Sequence, residues 1–312
     1  MKYILFWSTY NPNDDYSIKI WKNKPLKISP FHKLTLQSHI KAKNEVYLYT
    51  YQFKNSQVPK GIILKDANDI FPIEKAYTGL QLGHSIAIIS DAVRLKVASQ
   101  VNGIIIDMDA VIIKPFPKTD VFFSSMPAKM TGGFAPKWGK AHPPLTIYDN
   151  SWNGKALSCF PLKVGESIKE YIDKLSNRIM YNLSHNPKKG SKGWNYILWT
   201  VKEIIKVDNK ARVYKPIYNC PIPSWLMKGK CYTLESPTRL DGKTELFGYT
   251  LPKAENIFKE SYIVQHFFES AFSKSSMVSD NFWNEIKNNC FLSQEAEFIL
   301  GKDWKNILNG KS

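Results

Sequence analysis

Two carboxylates stand one residue apart in Asp107-Met108-Asp109, directly after the apolar run Gly103-Ile104-Ile105-Ile106. Like charges so close are costly unless a cation neutralises them. Oxygen donors of this kind suit Mn²⁺ or Mg²⁺, with substrate phosphates completing the coordination shell. An acidic triplet on a loop means little by itself. At the end of a buried strand it sits where open α/β sheets gather their ligands. Upstream lies Ser90-Asp91-Ala92-Val93-Arg94, with Arg94 thirteen residues before Asp107. The three-residue spacing sets Asp91 and Arg94 on one helix face. The bland reading is a surface ion pair. On a helix that feeds the acidic strand, Arg94 is instead placed to clamp a diphosphate or sugar hydroxyls. Asp91 is placed to accept hydrogen bonds from sugar hydroxyls.

The elements that must position these groups read as alternating strands and helices. Tyr3 to Ser8 is an apolar first strand, Val46 to Tyr51 alternates in the manner of a second, and Ile62 to Leu64 is a short third. A helix is predicted over Phe31 to Lys41. Another is predicted over Ser85 to Val101, where Ile86, Ile89, Val93, Val97 and Val101 recur near helical spacing. Ile104 to Ile106 is the apolar strand that ends in Asp107. The alternation predicts an α/β fold with a mostly parallel, covered sheet. From Lys118 to Asn150 the chain is rich in Pro, Gly and aromatics and reads as a long loop or insertion. A strand is expected over Ala156 to Leu162, and helices over Ser167 to Met180 and Tyr196 to Ile205. Residues 281–312 read as a helical C-terminal extension to a single domain of residues 1–280.

At 312 residues the chain has ample length to bury a core, and its 43% hydrophobic and 22% charged residues are ordinary for a globular protein. The net charge of +16 favours anionic partners. Its basic residues are densest at Lys188-Lys189 with Lys192 and from Lys202 to Lys230, without any nucleic-acid-binding motif. These stretches fit a solvated lysine face or a weak peripheral contact with an anionic membrane. The four cysteines, Cys159, Cys220, Cys231 and Cys290, form no metal-binding or redox spacing and read as reduced structural thiols. Met1 to Tyr10 lacks the pattern of a signal peptide, and no apolar run reaches the roughly 18–20 residues of a transmembrane helix. The expectation is a cytoplasmic protein, peripheral at most to the inner face of the cytoplasmic membrane.

The stretch SDAVRLKVASQVNGIIIDMDAVIIKPFP, Ser90 to Pro117, resembles the glycosyltransferase "sugar-binding region containing DXD motif". That family includes bacterial capsule and lipooligosaccharide enzymes, fungal mannosyltransferases and, more distantly, the large clostridial glucosylating toxins. Ser90, Asp91, Arg94, Gly103, Asp107 and Asp109 keep its pattern, and Asn102 replaces its first glycine. LTLQSHIKAKNEVYLYTY and VPKGIILKDANDIFP, between Leu34 and Pro72, are similar to its bacterial members. The resemblance implies a GT-A fold and metal-dependent, retaining transfer of a sugar from a nucleotide-sugar donor, a UDP-sugar first. The acceptor it implies is a saccharide or lipid-linked saccharide of a bacterial surface glycan.

It also implies site residues. Asp107 would contact ribose and sugar, and Asp109 would ligate the metal that bridges the diphosphate. Asp91 and Arg94 would hold the transferred sugar and phosphates. Trp7 would stack on the base, with Trp21 its rival. Asn153 in Trp152-Asn153-Gly154 would bind the donor sugar. His266 in Val264-Gln265-His266-Phe267-Phe268 would join the metal, although Ala271-Phe272 replace the Ser-Trp that usually follows.

Two other readings compete. Asp107-Met108-Asp109-Ala110-Val111 also fits the first motif of haloacid-dehalogenase-type phosphatases, with Asp107 as nucleophile. That motif normally lies near the N-terminus, and no acidic pair follows downstream to complete it. The charge alone would also suit a non-catalytic, anion-binding module.

Overall fold

In the computed structural model the described residues are 1–10, 17–55, 58–118, 121–125, 158–187, 204, 207–208, 212–214, 245–246, 249–250, 253–266, 282–286 and 290–310. The N-terminal half supplies strands β1 (Lys2–Phe6), β2 (Glu45–Thr50), β3 (Ile62–Asp66), β4 (Ile104–Ile105) and β5 (Ala110–Ile112). Its helices are α1 (Ile18–Asn23), α2 (Pro30–Lys41), α3 (Ile73–Gln81) and α4 (Ile86–Val101). Further along lie β6 (Phe122–Ser125), β7 (Ser158–Lys163), α5 (Lys169–His185), β8 (Arg212–Tyr214), β9 (Glu245–Leu246) and β10 (Tyr249–Thr250). The C-terminal part holds α6 (Ala254–Glu260), β11 (Ile263–Gln265), α7 (Phe282–Glu285), α8 (Phe291–Leu300) and α9 (Trp304–Leu308).

The main sheet has the order β3-β2-β1-β4-β7-β6-β8. β1 pairs in parallel with both β2 and β4, and β2 with β3. β7 runs antiparallel to β4 and to β6, while β6 and β8 are parallel, so the sheet is mixed. The chain leaves β1 toward β2 and β3, then returns to place β4 on the other side of β1. That reversal is a topological switch point between β1 and β4.

β1 is apolar throughout because both of its faces are covered. Ile4 and Phe6 share a core with Ile89, Val93 and Val97 of α4 and Ile172 and Ile179 of α5. Tyr3 and Leu5 face the opposite core, with Leu36, Leu48, Ile104 and Ile106. α2 opens on a serine cap, Ser29 Oγ accepting from His32 N at 3.2 Å, with Pro30 in its first turn. α3 was not evident in the sequence, where Gly79 weakens the helical pattern. A Cβ at Gly79 would come within 2.9 Å of the Leu183 carbonyl oxygen, so the glycine lets α3 lie close on α5.

α4 ends at Asn102 in the left-handed conformation, with φ 52°. Asparagine adopts this region more readily than most residues and so suits a helix stop. The next residue, Gly103, has little room for a side chain. A Cβ on Gly103 would meet Ile4 Cδ1 at 2.3 Å, because β4 starts hard against β1.

The helices expected over 281–312 are present as α7, α8 and α9. They share one core with α2 and the β5–β11 pair, through Phe31, Leu34, Val111, Val264, Trp283, Leu292 and Trp304. Trp283 Nε1 donates to the Pro30 carbonyl at 3.1 Å. The extension therefore forms an outer layer over α2. No helix among the described residues is long and apolar enough to cross a membrane.

Candidate functional site

The acidic motif occupies a tight turn between β4 and β5. Ile106 N donates to the Ile4 carbonyl at 3.2 Å, which keeps the strand beside β1 up to the motif. Ala110 N then donates to the Asp107 carbonyl at 3.2 Å and closes the turn. Met108 is buried between the two aspartates. The turn thus fixes where both carboxylates leave the backbone, and separate elements hold each one.

Asp107 is held from α4. Arg94 Nη1 donates to Asp107 Oδ1 and to the Ile106 carbonyl, each at 2.7 Å, while Nη2 donates to Asp91 Oδ1 at 2.7 Å. The Arg94 side chain is only 5% exposed, against 16% for Asp91 and 30% for Asp107. Burial works against the Arg94 charge, but the carboxylates of Asp107 and Asp91 more than offset it and leave its pKa raised. Burial pushes the Asp91 carboxyl up to about 7, with Arg94 pulling down and Asp107 pushing up. Asp91, Arg94 and Asp107 come together. The surface ion pair considered for Asp91 and Arg94 is instead a buried bridge, and the guanidinium is directed at two carboxylates and a carbonyl of the chain itself.

Asp109 is held from β11. That strand pairs antiparallel with β5, setting Gln265 opposite Ala110. Gln265 Nε2 donates to Asp109 Oδ1 at 2.5 Å, and His266 N donates to the Asp109 carbonyl at 2.9 Å. Successive side chains on a strand point to opposite sides. Gln265 meets the acidic turn, and the His266 ring turns into the helical layer. There its Nε2 lies 2.8 Å from Glu295 Oε2 of α8, with both side chains fully buried, and its edge faces Phe31. Burial pushes the Glu295 carboxyl up, with His266 drawing it down. His266 therefore reaches the acidic turn through its backbone, and its ring nitrogen Nε2 faces Glu295.

Trp7 follows β1, beside Asp107 at the carboxyl edge of the sheet. Its backbone N donates to the Tyr49 carbonyl at 3.0 Å, and Nε1 donates to the Lys27 carbonyl at 2.9 Å. The ring is half-buried, edge-on to His32 at 4.1 Å between centroids. Trp21 has no exposed surface. It is packed against Tyr10 and Tyr51, and its Nε1 donates to Ser8 Oγ at 3.2 Å. Of the two tryptophans, Trp7 alone offers surface at the sheet edge.

Asn153, the basic stretch at 188–192 and most of that at 202–230 lie outside the described residues. Gln265 and Glu295 had no role in the sequence reading. Gln265 lies 156 residues from Asp109 and is brought to it by the pairing of β11 with β5, while Glu295 meets His266 from α8. Among the described residues no group of three or more His, Cys, Asp or Glu side chains converges as a metal site. The oxygen donors at the acidic turn are the carboxylates of Asp107 and Asp109, which fit a hard divalent cation, and Gln265 meets the turn through its amide nitrogen. No protein-family model matches the chain, and no curated protein sequence matches it significantly.

Proposed function

We propose that this chain is a metal-dependent glycosyltransferase of the GT-A kind. It transfers a sugar, with retention, from a nucleotide-sugar donor, a UDP-sugar first, to a saccharide or lipid-linked saccharide of a bacterial surface glycan. The observation that carries the reading is the placement of Trp7 and Asp107 at adjacent strand ends across the β1–β4 switch point, where α/β sheets bind nucleotides. An aromatic suited to a base and a braced carboxylate suited to ribose and sugar stand at the ends of neighbouring strands there.

Each residue then has a separate task. Trp7 stacks on the base. Asp107, fixed by Arg94, orients ribose and sugar. Arg94 keeps a positive charge behind that carboxylate, and Asp91 fixes the guanidinium in turn. Asp109, with Asp107 beside it, would hold a Mn²⁺ or Mg²⁺ ion, whose chemistry is to neutralise charge on the departing diphosphate. In the reaction the bond from the anomeric carbon to the phosphate oxygen breaks, with its electron pair leaving on the diphosphate. The acceptor oxygen bonds to the same carbon on the face the diphosphate vacates, and the acceptor proton passes to the departing phosphate.

The test is a panel of nucleotide sugars incubated with the purified chain, with and without Mn²⁺, beside Asp109→Ala. The expected result is cation-dependent turnover of a UDP-sugar that the variant loses while melting near the wild-type temperature. Wild-type turnover by Asp109→Ala at saturating donor, or no turnover of any donor by the parent, overturns the proposal.

A further inference from the structure

The side chain that meets Asp109 has half of its hydrogen-bonding capacity unused. Gln265 is 2% exposed, and its Nε2 donates to Asp109 Oδ1 at 2.5 Å. Its Oε1 is buried and, among the described residues, has no hydrogen-bond partner. A buried amide oxygen without a donor is unfavourable and uncommon in folded proteins, so such an oxygen points to an absent partner.

A carboxamide presents a donor and an acceptor in one plane, and a half-turn about its last bond exchanges them. Toward a bare carboxylate only the N–H side is favourable. Toward a carboxylate that holds a cation, the oxygen is the favourable side. We infer that Gln265 belongs to the divalent-cation site centred on Asp109. Its N–H group holds the carboxylate when the cation is absent, and its Oε1 faces the cation, directly or through a bound water, when it is present. A neutral oxygen adds a ligand without adding charge, which suits Mn²⁺ and Mg²⁺ over softer metals. The assignment rests on Asp109 being a cation-binding residue. It goes beyond that reading by adding a third protein group, from a strand distant in sequence.

Titration of the full chain with Mn²⁺, alone and with uridine diphosphate, tests it by calorimetry. Gln265→Leu keeps the size and removes both polar atoms. It is expected to weaken Mn²⁺ binding by at least about tenfold. Gln265→Glu sets a second carboxylate on Asp109. Its melting temperature without metal should fall, recover on adding Mn²⁺, and be accompanied by tighter Mn²⁺ binding than in the parent. This second variant carries the test if the leucine variant does not fold. Unchanged Mn²⁺ affinity in the variants, with affinity lost in Asp109→Ala, overturns the role of Gln265 and leaves the Asp109 site standing. No Mn²⁺ binding by the parent in either condition overturns both. Mn²⁺ binding that depends on Gln265, in a chain that transfers no sugar, supports this inference and overturns the glycosyltransferase reading.

Discussion

Arg94 reaches from α4 to place Nη1 2.7 Å from Asp107 Oδ1, and the same nitrogen donates to the Ile106 carbonyl. One buried guanidinium therefore fixes both the first carboxylate of the acidic turn and the backbone that leads into it. With Nη2 on Asp91, it spans two carboxylates. The sequence places Arg94 against the donor as a clamp; the geometry makes it a brace behind Asp107.

The brace requires the fork of arginine. A lysine carries its charge at one point and reaches one of the two carboxylates. Arg94→Lys is expected to lower the rate of sugar transfer by at least about tenfold, roughly 1.4 kcal/mol, with the loss in kcat more than in donor KM. Arg94→Leu leaves both carboxylates without their counter-ion and should destabilise the fold by about 3 kcal/mol or more. Steady-state rates and denaturant titration read these effects. Wild-type kinetics in Arg94→Lys would remove Arg94 from any role in the site.

The parts of this arrangement that were legible in the sequence are those set by local pattern. The Ile104-Ile105-Ile106 run marks a buried strand by its apolarity. The period of Ile89, Val93 and Val97 marks the inner face of α4, and the three-residue step puts Asp91 beside Arg94. What could not be read depends on contacts far apart in sequence. β11 is three residues long, and nothing in Ile263-Val264-Gln265 specifies that it pairs with β5. The role of Gln265 follows from that pairing, and that of Glu295 from the packing of α8 as well. The sheet was expected to be mixed and mostly parallel, and it is, with its β3-β2-β1-β4 half parallel throughout. The antiparallel entry of β7 beside β4 is set by packing that the local pattern of Ser158–Lys163 does not encode.

Asp91 should give the bridge a pH signature. Its pKa is raised to about 7 in the folded chain, from an ordinary carboxyl value in the unfolded one. Between these values the folded state holds the proton more tightly, so this contribution to stability is full at low pH and declines as the pH rises toward 7. His32 and His39 work in the opposite sense, because burial lowers both rings to about 3 and their contribution is lost on acidification. The measurable quantity is therefore the difference between the parent and Asp91→Asn. Relative to the parent, the variant should gain stability as the pH is raised from 5 to 8, by about 1 kcal/mol or more, or roughly 2–4 °C in melting temperature. Parallel melting curves across that range would place the Asp91 pKa in the ordinary carboxyl range.

The His266–Glu295 contact joins α8 to the strand that holds Asp109. Both groups are fully buried. Glu295→Leu would remove the carboxylate that faces the imidazole and is expected to cost about 1–3 kcal/mol. Glu295→Gln retains an oxygen and an N–H at that position and should cost less. Urea titration of the two variants orders them. Equal losses would show that the hydrogen bond contributes nothing beyond shape.

The start of β4 gives the sharpest steric prediction. Gly103 follows the left-handed Asn102, and a Cβ placed on it would meet Ile4 Cδ1 at 2.3 Å, Ile4 Cγ1 at 3.1 Å and the Lys2 carbonyl oxygen at 3.3 Å. The closest atom is the end of a side chain, and the next two leave little room behind it. Ile4 is fully buried in the core beneath α4, so its Cδ1 has no free space to enter. Gly103→Ala should therefore behave as overpacking and destabilise the chain by about 1–3 kcal/mol. Ile4→Val alone removes Cδ1 and should cost about 0.5–1.5 kcal/mol. If the clash is with that methyl, the two changes compensate. The double variant should then be more stable than the sum of the single losses predicts, by at least about 0.5 kcal/mol, the size of coupling seen between residues in contact. Because β4 delivers Asp107, the alanine variant should also lose sugar transfer in proportion to its distortion, and the valine should restore part of it. Denaturant titration of the four proteins closes the cycle. Strict additivity would show that β4 can separate from β1 without involving Ile4, and that the acidic turn is not held by this contact.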